Sequence, residues 1–178
     1  VNALMSLMCF HASRFDARLN EIGESILYEE QNRDLWNDEL IAKGNYFLIE
    51  SAKGNEVSKY HLEASIAYWH ATKIEYDHKW ENILQLYNKL LLVDYSPIVA
   101  LNRTYALSKA KGKQVAIIEA EKINLLDNHL YHSLLGNLYT DIDNVKAILH
   151  FKKVLSLLKN NNDKVVIENH IAKINFYD

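Results

Sequence analysis

A chain of 178 residues with 49% apolar and 24% charged positions can bury a substantial core and has the composition of an ordinary globular protein. A formal charge of −3 supplies no basic face for DNA or RNA, and Arg14, Arg18 and Arg33 are too few to make a local one. The single Cys9 excludes an internal disulfide and fits a reducing compartment, while five glycines and one proline argue for helices joined by short turns.

The first helix is expected from about Asn2 to Phe15. Its apolar run, Ala3 to Phe10, lacks a preceding basic region and is too short to span a bilayer, so it reads as a buried helix. The chain opens at Val1, already inside this helical pattern, and is read as a piece of a longer protein. Asp16 to Gln31 reads as a partly extended loop. A long helix is expected from Asn32, as N-cap, to Gly54, as the residue past its end, with Leu35, Trp36, Leu40, Tyr46, Phe47 and Ile49 on its apolar side. Ser58 caps the next helix, which ends near Thr72, and Asp77 opens the one carrying Trp80, Ile83 and Tyr87. Ser96-Pro97 pairs an N-cap with proline in the first turn, where its missing N–H costs nothing, and Gly112 closes that helix. Further helices are expected over Lys113–Ile123, Asn128–Tyr139, Asn144–Leu158 and Asp163–Asn175.

A repeat runs through these elements. The second helix of each hairpin carries apolar or small residues at offsets of four and seven: Ile83, Tyr87, Leu90, then Ala116, Ala120, Ile123, then Ala147, Phe151, Val154. The caps Ser58, Ser96 and Asp127 precede these triplets by 25, 20 and 20 residues. Hairpins of about 34 residues that each bury an apolar stripe only by stacking on a neighbour define tetratricopeptide (TPR) repeats. The expected fold is therefore all-α, an antiparallel helix-hairpin array forming a TPR-like α-α superhelix with additional N-terminal helices. Residues 1–57 supply those helices and a connecting belt packed on the array, and 58–178 supply the repeats and a terminal capping helix, the two read together as one continuous domain.

Four ordered motifs go beyond a generic repeat. Leu7, Met8, His11, Ala12 and Arg14 form the first. Gly23, Leu27, Glu30, Gln31, Asn32, Arg33, Leu35 and Trp36 form the second. Tyr60, Leu62, Ala64, Ile66, Ala67, His70 and Ala71 form the third, and Ser96, Pro97, Val99, Leu101, Asn102 and Arg103 the fourth. In this order they resemble the C-terminal region of extracytoplasmic-function (ECF) RNA polymerase sigma factors, members of the sigma-70 family, that carry a TPR domain. Asn32 stands where that family usually has Asp, which weakens any claim that a charge at that position is essential. The resemblance implies a bacterial, cytoplasmic regulatory domain that contacts its own N-terminal sigma domains or core RNA polymerase and tunes transcription initiation. Promoter DNA would be bound by domains outside this chain, so direct nucleic-acid contact is not expected here, nor is contact with a membrane.

Residues that could carry chemistry have plainer readings. His129 and His132 are one helical turn apart, but no further ligand sits at a matching position, and His132 reads as a packing or hydrogen-bonding residue. His61 and His70 need not share a face, and His78, His150 and His170 read as isolated. Glu29, Glu30 and Asp34 beside Arg33 read as a solvated or salt-bridged cluster. With no phosphate-binding glycine loop, nucleophile elbow or Cys–His arrangement, neither enzymatic activity nor any metal or cofactor is expected. Recognition is better placed on Asn102 and Arg103, in the first helix of a hairpin, and on Ser133 and Asn137 one hairpin later. Asn102 has an equal alternative: buried, it would bond to a neighbouring hairpin's backbone and fix the stacking angle. Glu30, Gln31, Arg33 and Trp36 could touch the sigma region or polymerase. The favoured reading is structural, a belt over the first two helices with Trp36 as anchor and Arg33 bonded to a carboxylate. The alternative to a sigma-factor domain is a free-standing TPR adaptor for a peptide or chaperone tail; a metal-dependent hydrolase is a distant third.

Overall fold

The computed structural model describes residues 1–20, 23, 26, 28–74 and 76–176, the last two by backbone alone. Leu27 of the second motif and four other residues of the expected Asp16–Gln31 loop lie outside the described residues. Among the described residues there are nine α-helices: α1 Asn2–Ala12, α2 Asp38–Ser51, α3 Lys59–Ala71, α4 Lys79–Val93, α5 Pro97–Lys111, α6 Lys113–Ile123, α7 His129–Tyr139, α8 Asn144–Leu157 and α9 Asn161–Phe176. The fold is all-α, an array of helices as the periodicity requires.

Helix starts follow local chemistry. Asn37 Oδ1 accepts the Leu40 N–H at 3.0 Å, and acidic Asp38 and Glu39 sit against the positive end of the α2 dipole. Asn128 caps α7 through the N–H groups of Leu130 and Tyr131 at 2.8 and 3.2 Å, and Asp143 caps α8 through Lys146 at 3.0 Å. Gly112, at φ +96°, is the hinge residue between α5 and α6, where an L side chain would be strained.

The expected long helix from Asn32 is shorter than that. Asn32 does act as a cap, accepting from the Asp34 N–H at 3.0 Å, but of a single 3₁₀ turn over Arg33–Leu35. Trp36 has extended backbone, and α2 begins only after Asn37. Two Asn residues, each suited to capping, stand five positions apart, and the second one opens the helix. Two more 3₁₀ turns, Phe15–Ala17 and Tyr28–Glu30, occupy stretches expected as helix end and loop. The apolar register of α2 is also different. Tyr46 and Ile49 are exposed, while Gly44 is buried and Ile41 and Leu48 pack around Phe10, Ala67 and Ala71.

By contacts the chain divides into two units, Val1–Tyr95 and Ser96–Asp178. In the first, α1 packs on α2 and α3, and α3 packs on α4. A division at 57/58 would part α3 from α1, its packing partner. In the second unit each helix packs on the next, and α5 also touches α7. Eight of the nine triplet residues are buried, Ile123 being half-buried. Each unit has one close helix pair with a phenylalanine ring over a glycine. Phe10 of α1 covers Gly44 of α2, and Phe151 of α8 covers Gly136 of α7; a Cβ on either glycine would lie 2.7 Å from ring carbon Cε1.

Candidate functional site

The belt between α1 and α2 is pinned by side chains from four parts of the first unit. Trp36, 3% exposed, stacks on Tyr28 with ring centres 6.3 Å apart. Arg14 lies over both rings, its Cζ 4.6 Å from the Tyr28 centre and 5.3 Å from that of Trp36. Nε and Nη2 of Arg14 donate to Oε1 of Gln31 at 3.2 and 3.0 Å, and Gln31 Nε2 donates to the carbonyl of Ile26 at 3.3 Å. Arg33 Nη1 donates to the Lys73 carbonyl at 2.8 Å, which ties the belt to the α3–α4 connection. The Asn37 N–H donates to the Ser13 carbonyl at 2.8 Å and closes the belt onto the end of α1. The belt thus reaches α1, α3 and α4, not the first two helices alone.

Beneath it lies a polar chain. The Tyr28 hydroxyl donates to the carbonyl of His70 at 3.0 Å and accepts from Lys79 Nζ at 3.0 Å. Lys79, at the start of α4, is only 1% exposed. The His70 ring sits edge-on to Tyr28 and Trp80, at 5.0 and 5.8 Å. Burial, then the charges of Arg14, Lys79 and His11, lower the His70 pKa to about 3, so this imidazole is neutral. Its Nδ1 and the indole N–H of Trp36 are shielded and find no hydrogen-bond partner among the described residues. An arrangement of two arginines, one lysine and stacked aromatics is built to hold segments together. Tyr28, His70, Lys79 and Trp80 were not readable as members of this cluster from sequence. The available signal was the third motif, which contains His70; Lys79 has none.

Of the candidate residues, Gln31, Arg33 and Trp36 are therefore brought together in the belt, and Glu30 is exposed on it. The other four lie in the second unit. Asn102 is exposed on α5, which removes the reading as a buried stacking residue. Arg103 is half-buried and sits 3.9 Å from Glu119 Oε2 of α6. Asn137 is exposed on α7 and donates through Nδ2 to the Ser133 carbonyl at 2.9 Å. Ile98, Asn102 and Lys109 form an exposed row along α5, with Tyr105 half-buried within it and Lys109 Nζ 5.7 Å from the Tyr105 ring centre. Leu130, Ser133 and Asn137 follow one side of α7.

The chain matches no established activity by likeness. A family of unknown function, DUF6596, matches residues 1–52, which hold α1, the belt and α2. An uncharacterized protein of Rhizobium meliloti (strain 1021) is 29% identical over 176 residues, 95% of this chain and 42% of its own length. This chain thus spans about two fifths of that relative. No solved structure matches.

The histidines of the second unit are paired otherwise than their spacing suggested. His129 is exposed, and buried His132 meets His150 of α8, Nδ1 to Nδ1, at 2.9 Å. Eighteen residues separate them in sequence, on consecutive helices of one hairpin. Tyr139 stacks parallel on His150 with centres 5.8 Å apart and donates its hydroxyl to Glu121 Oε1 at 2.6 Å. Burial first, and that carboxylate, push the Tyr139 phenol up to about 12. Among the described residues no group of three or more His, Cys, Asp or Glu is placed to hold a metal, and no helix is long and apolar enough to cross a membrane.

Proposed function

We propose that this chain is the protein-binding C-terminal region of an ECF RNA polymerase sigma factor. In this reading it works in the cytoplasm, performs no reaction of its own, and tunes transcription initiation through its own sigma domains or the polymerase core. One observation carries the reading. Arg14 of the first motif, Gln31 and Trp36 of the second and His70 of the third are far apart in sequence yet converge in a single packed cluster. Chance matches scattered over three segments have no reason to meet. The relative's greater length also supports a parent with further parts.

The contact surface in this reading is the outer side of α5 and α7. Asn102 and Asn137 offer amide groups that can bond an extended backbone, and Ile98, Tyr105 and Leu130 supply apolar contact. The same row of side chains favours the second reading, a free-standing TPR adaptor for a peptide or chaperone tail, because it does not specify whose backbone is bound.

The test is co-purification of the chain with the separately expressed upstream region of its parent and with core polymerase, for wild type and for Asn102→Ala with Arg103→Ala. The Arg103–Glu119 pair is long and partly exposed, worth at most about 1 kcal/mol. If the two residues serve recognition and not packing, the double variant should keep its melting temperature within a few degrees while capture falls about fivefold or more. No capture by sigma region or polymerase, with retention of an unstructured peptide, selects the adaptor. A large loss of melting temperature assigns the two residues to structure.

A further inference from the structure

In the second unit a single backbone carbonyl dictates where the hydrogens of two imidazoles lie. His132 Nε2 is 2.8 Å from the Leu126 carbonyl, in the connection between α6 and α7. A carbonyl oxygen can only accept, so Nε2 carries the hydrogen, and in the neutral ring the lone pair is on Nδ1. The 2.9 Å contact between the two Nδ1 atoms is then a hydrogen bond only if His150 donates, which leaves the lone pair of His150 on its Nε2. We propose that this pair is a proton-operated latch. It ties the α6–α7 connection, α7 and α8 together at neutral pH and opens as protons are taken up under mildly acidic conditions.

A first proton from solvent adds to Nε2 of His150, and the resulting imidazolium still donates from Nδ1 to His132. A second can add only to Nδ1 of His132, whose lone pair is already engaged. Two N–H groups and two positive charges would then face each other, and the rings must part.

The groups facing the pair come from every neighbouring helix. From α6 the Glu121 carboxylate favours charge on His150; from α8 itself Lys146 opposes it, as does His132. Burial is the largest influence and lowers the His150 pKa. From α7 Tyr139 stacks on His150, and Tyr131 lies edge-on to His132 at 5.1 Å. From α9 His170 is turned to Phe151, and α5, which also touches α7, pairs its Arg103 with Glu119. Because the closed state holds His150 below its ordinary value, the open state binds more protons. Opening is therefore unfavourable above about pH 6.5 and grows easier as pH falls through that value. The latch gives acidity a hold on α7, the helix that carries Ser133 and Asn137.

The experiment uses the full chain. Long-range 15N–1H NMR at neutral pH should find His132 protonated on Nε2 with a bare Nδ1, and His150 in the opposite tautomer. Hydrogen exchange of the α7 and α8 amides, corrected for intrinsic rate, should report about tenfold more frequent opening at pH 5.5 than at pH 7.5. In H132Q with H150Q neither side chain can titrate, and the increase should stay below about twofold. Either of two results overturns the latch: a hydrogen on His132 Nδ1 at neutral pH, or the same pH slope in wild type and in H132Q with H150Q. The tautomer measurement requires no variant and so decides the matter even if the double variant does not fold.

Discussion

At the scale of a residue, Gly136 shows how an absent side chain can be a packing choice. A methyl added there would meet three atoms of the Phe151 ring at 2.7 to 2.9 Å. Gly136→Ala ought to gain about 0.5–1 kcal/mol in helix propensity, yet the overlap forces the ring or α7 to move, at about 1–3 kcal/mol. The expected outcome in urea unfolding is a net loss of roughly 1–2 kcal/mol. Phe151→Ala, which empties the other side of the contact, should cost about 3–5 kcal/mol. The two are not additive. With the ring gone, Gly136→Ala has room and should turn neutral or stabilising. If it costs as much in the Phe151→Ala background as in the wild type, the ring is not what the glycine accommodates. This residue pair was half legible: Phe151 stood out in the repeat triplets, Gly136 did not. The counterpart in the first unit was half legible too, Phe10 lying in the apolar run of the first helix and Gly44 being missed, because a scan for apolar positions passes over a glycine.

At the scale of an element, punctuation decided what could be read. Pro97 and Gly112 bracket α5, and nothing nearby competes with them. Before α2 two Asn residues compete. The stretch from Asn32 to Trp36 looks helical by composition, but tertiary contacts hold it as a belt: Trp36 against Tyr28, Arg33 on the Lys73 carbonyl. Those partners lie in an earlier turn of the belt and in the α3–α4 connection, and no local pattern reveals them. The belt itself is testable. Trp36→Ala removes a buried indole and the surface under Arg14, and should destabilise the first unit by about 3–5 kcal/mol. Trp36→Phe keeps a ring over Tyr28 and discards the shielded N–H that lacks a partner among the described residues; it should cost far less, about 1 kcal/mol. Amide exchange at Asn37, whose N–H is bonded to Ser13, reads the opening of the belt directly. Protection there that survives Trp36→Ala would show that the indole does not anchor it.

At the scale of the molecule, acid should act on the two units through different histidines, and the distribution of tryptophan lets them be followed separately. All three tryptophans, Trp36, Trp69 and Trp80, lie in the first unit. Their fluorescence therefore reports Val1–Tyr95 alone, whereas the far-ultraviolet helix signal reports both units. In the first unit the governing group is His70, held near 3 by burial and by Arg14 and Lys79. Its unfolded value is about 6.5, so folding requires the neutral ring. The stabilising term is whole above about pH 6.5 and shrinks as pH falls toward 3, because the unfolded chain binds a proton that the folded one refuses. At about 1.4 kcal/mol for each tenfold difference in proton affinity, the loss approaches roughly 5 kcal/mol, a large share of the stability of a domain this size. Fluorescence-monitored denaturant midpoints should accordingly decline steadily between about pH 6.5 and pH 4. His70→Phe keeps an aromatic ring beside Tyr28 and Trp80 but cannot be protonated. Its midpoint should be lower than or similar to wild type at pH 7.5 and should lose most of that acid slope. A slope unchanged in His70→Phe would assign the acid sensitivity of this unit to other groups, the carboxylates of the belt first among them.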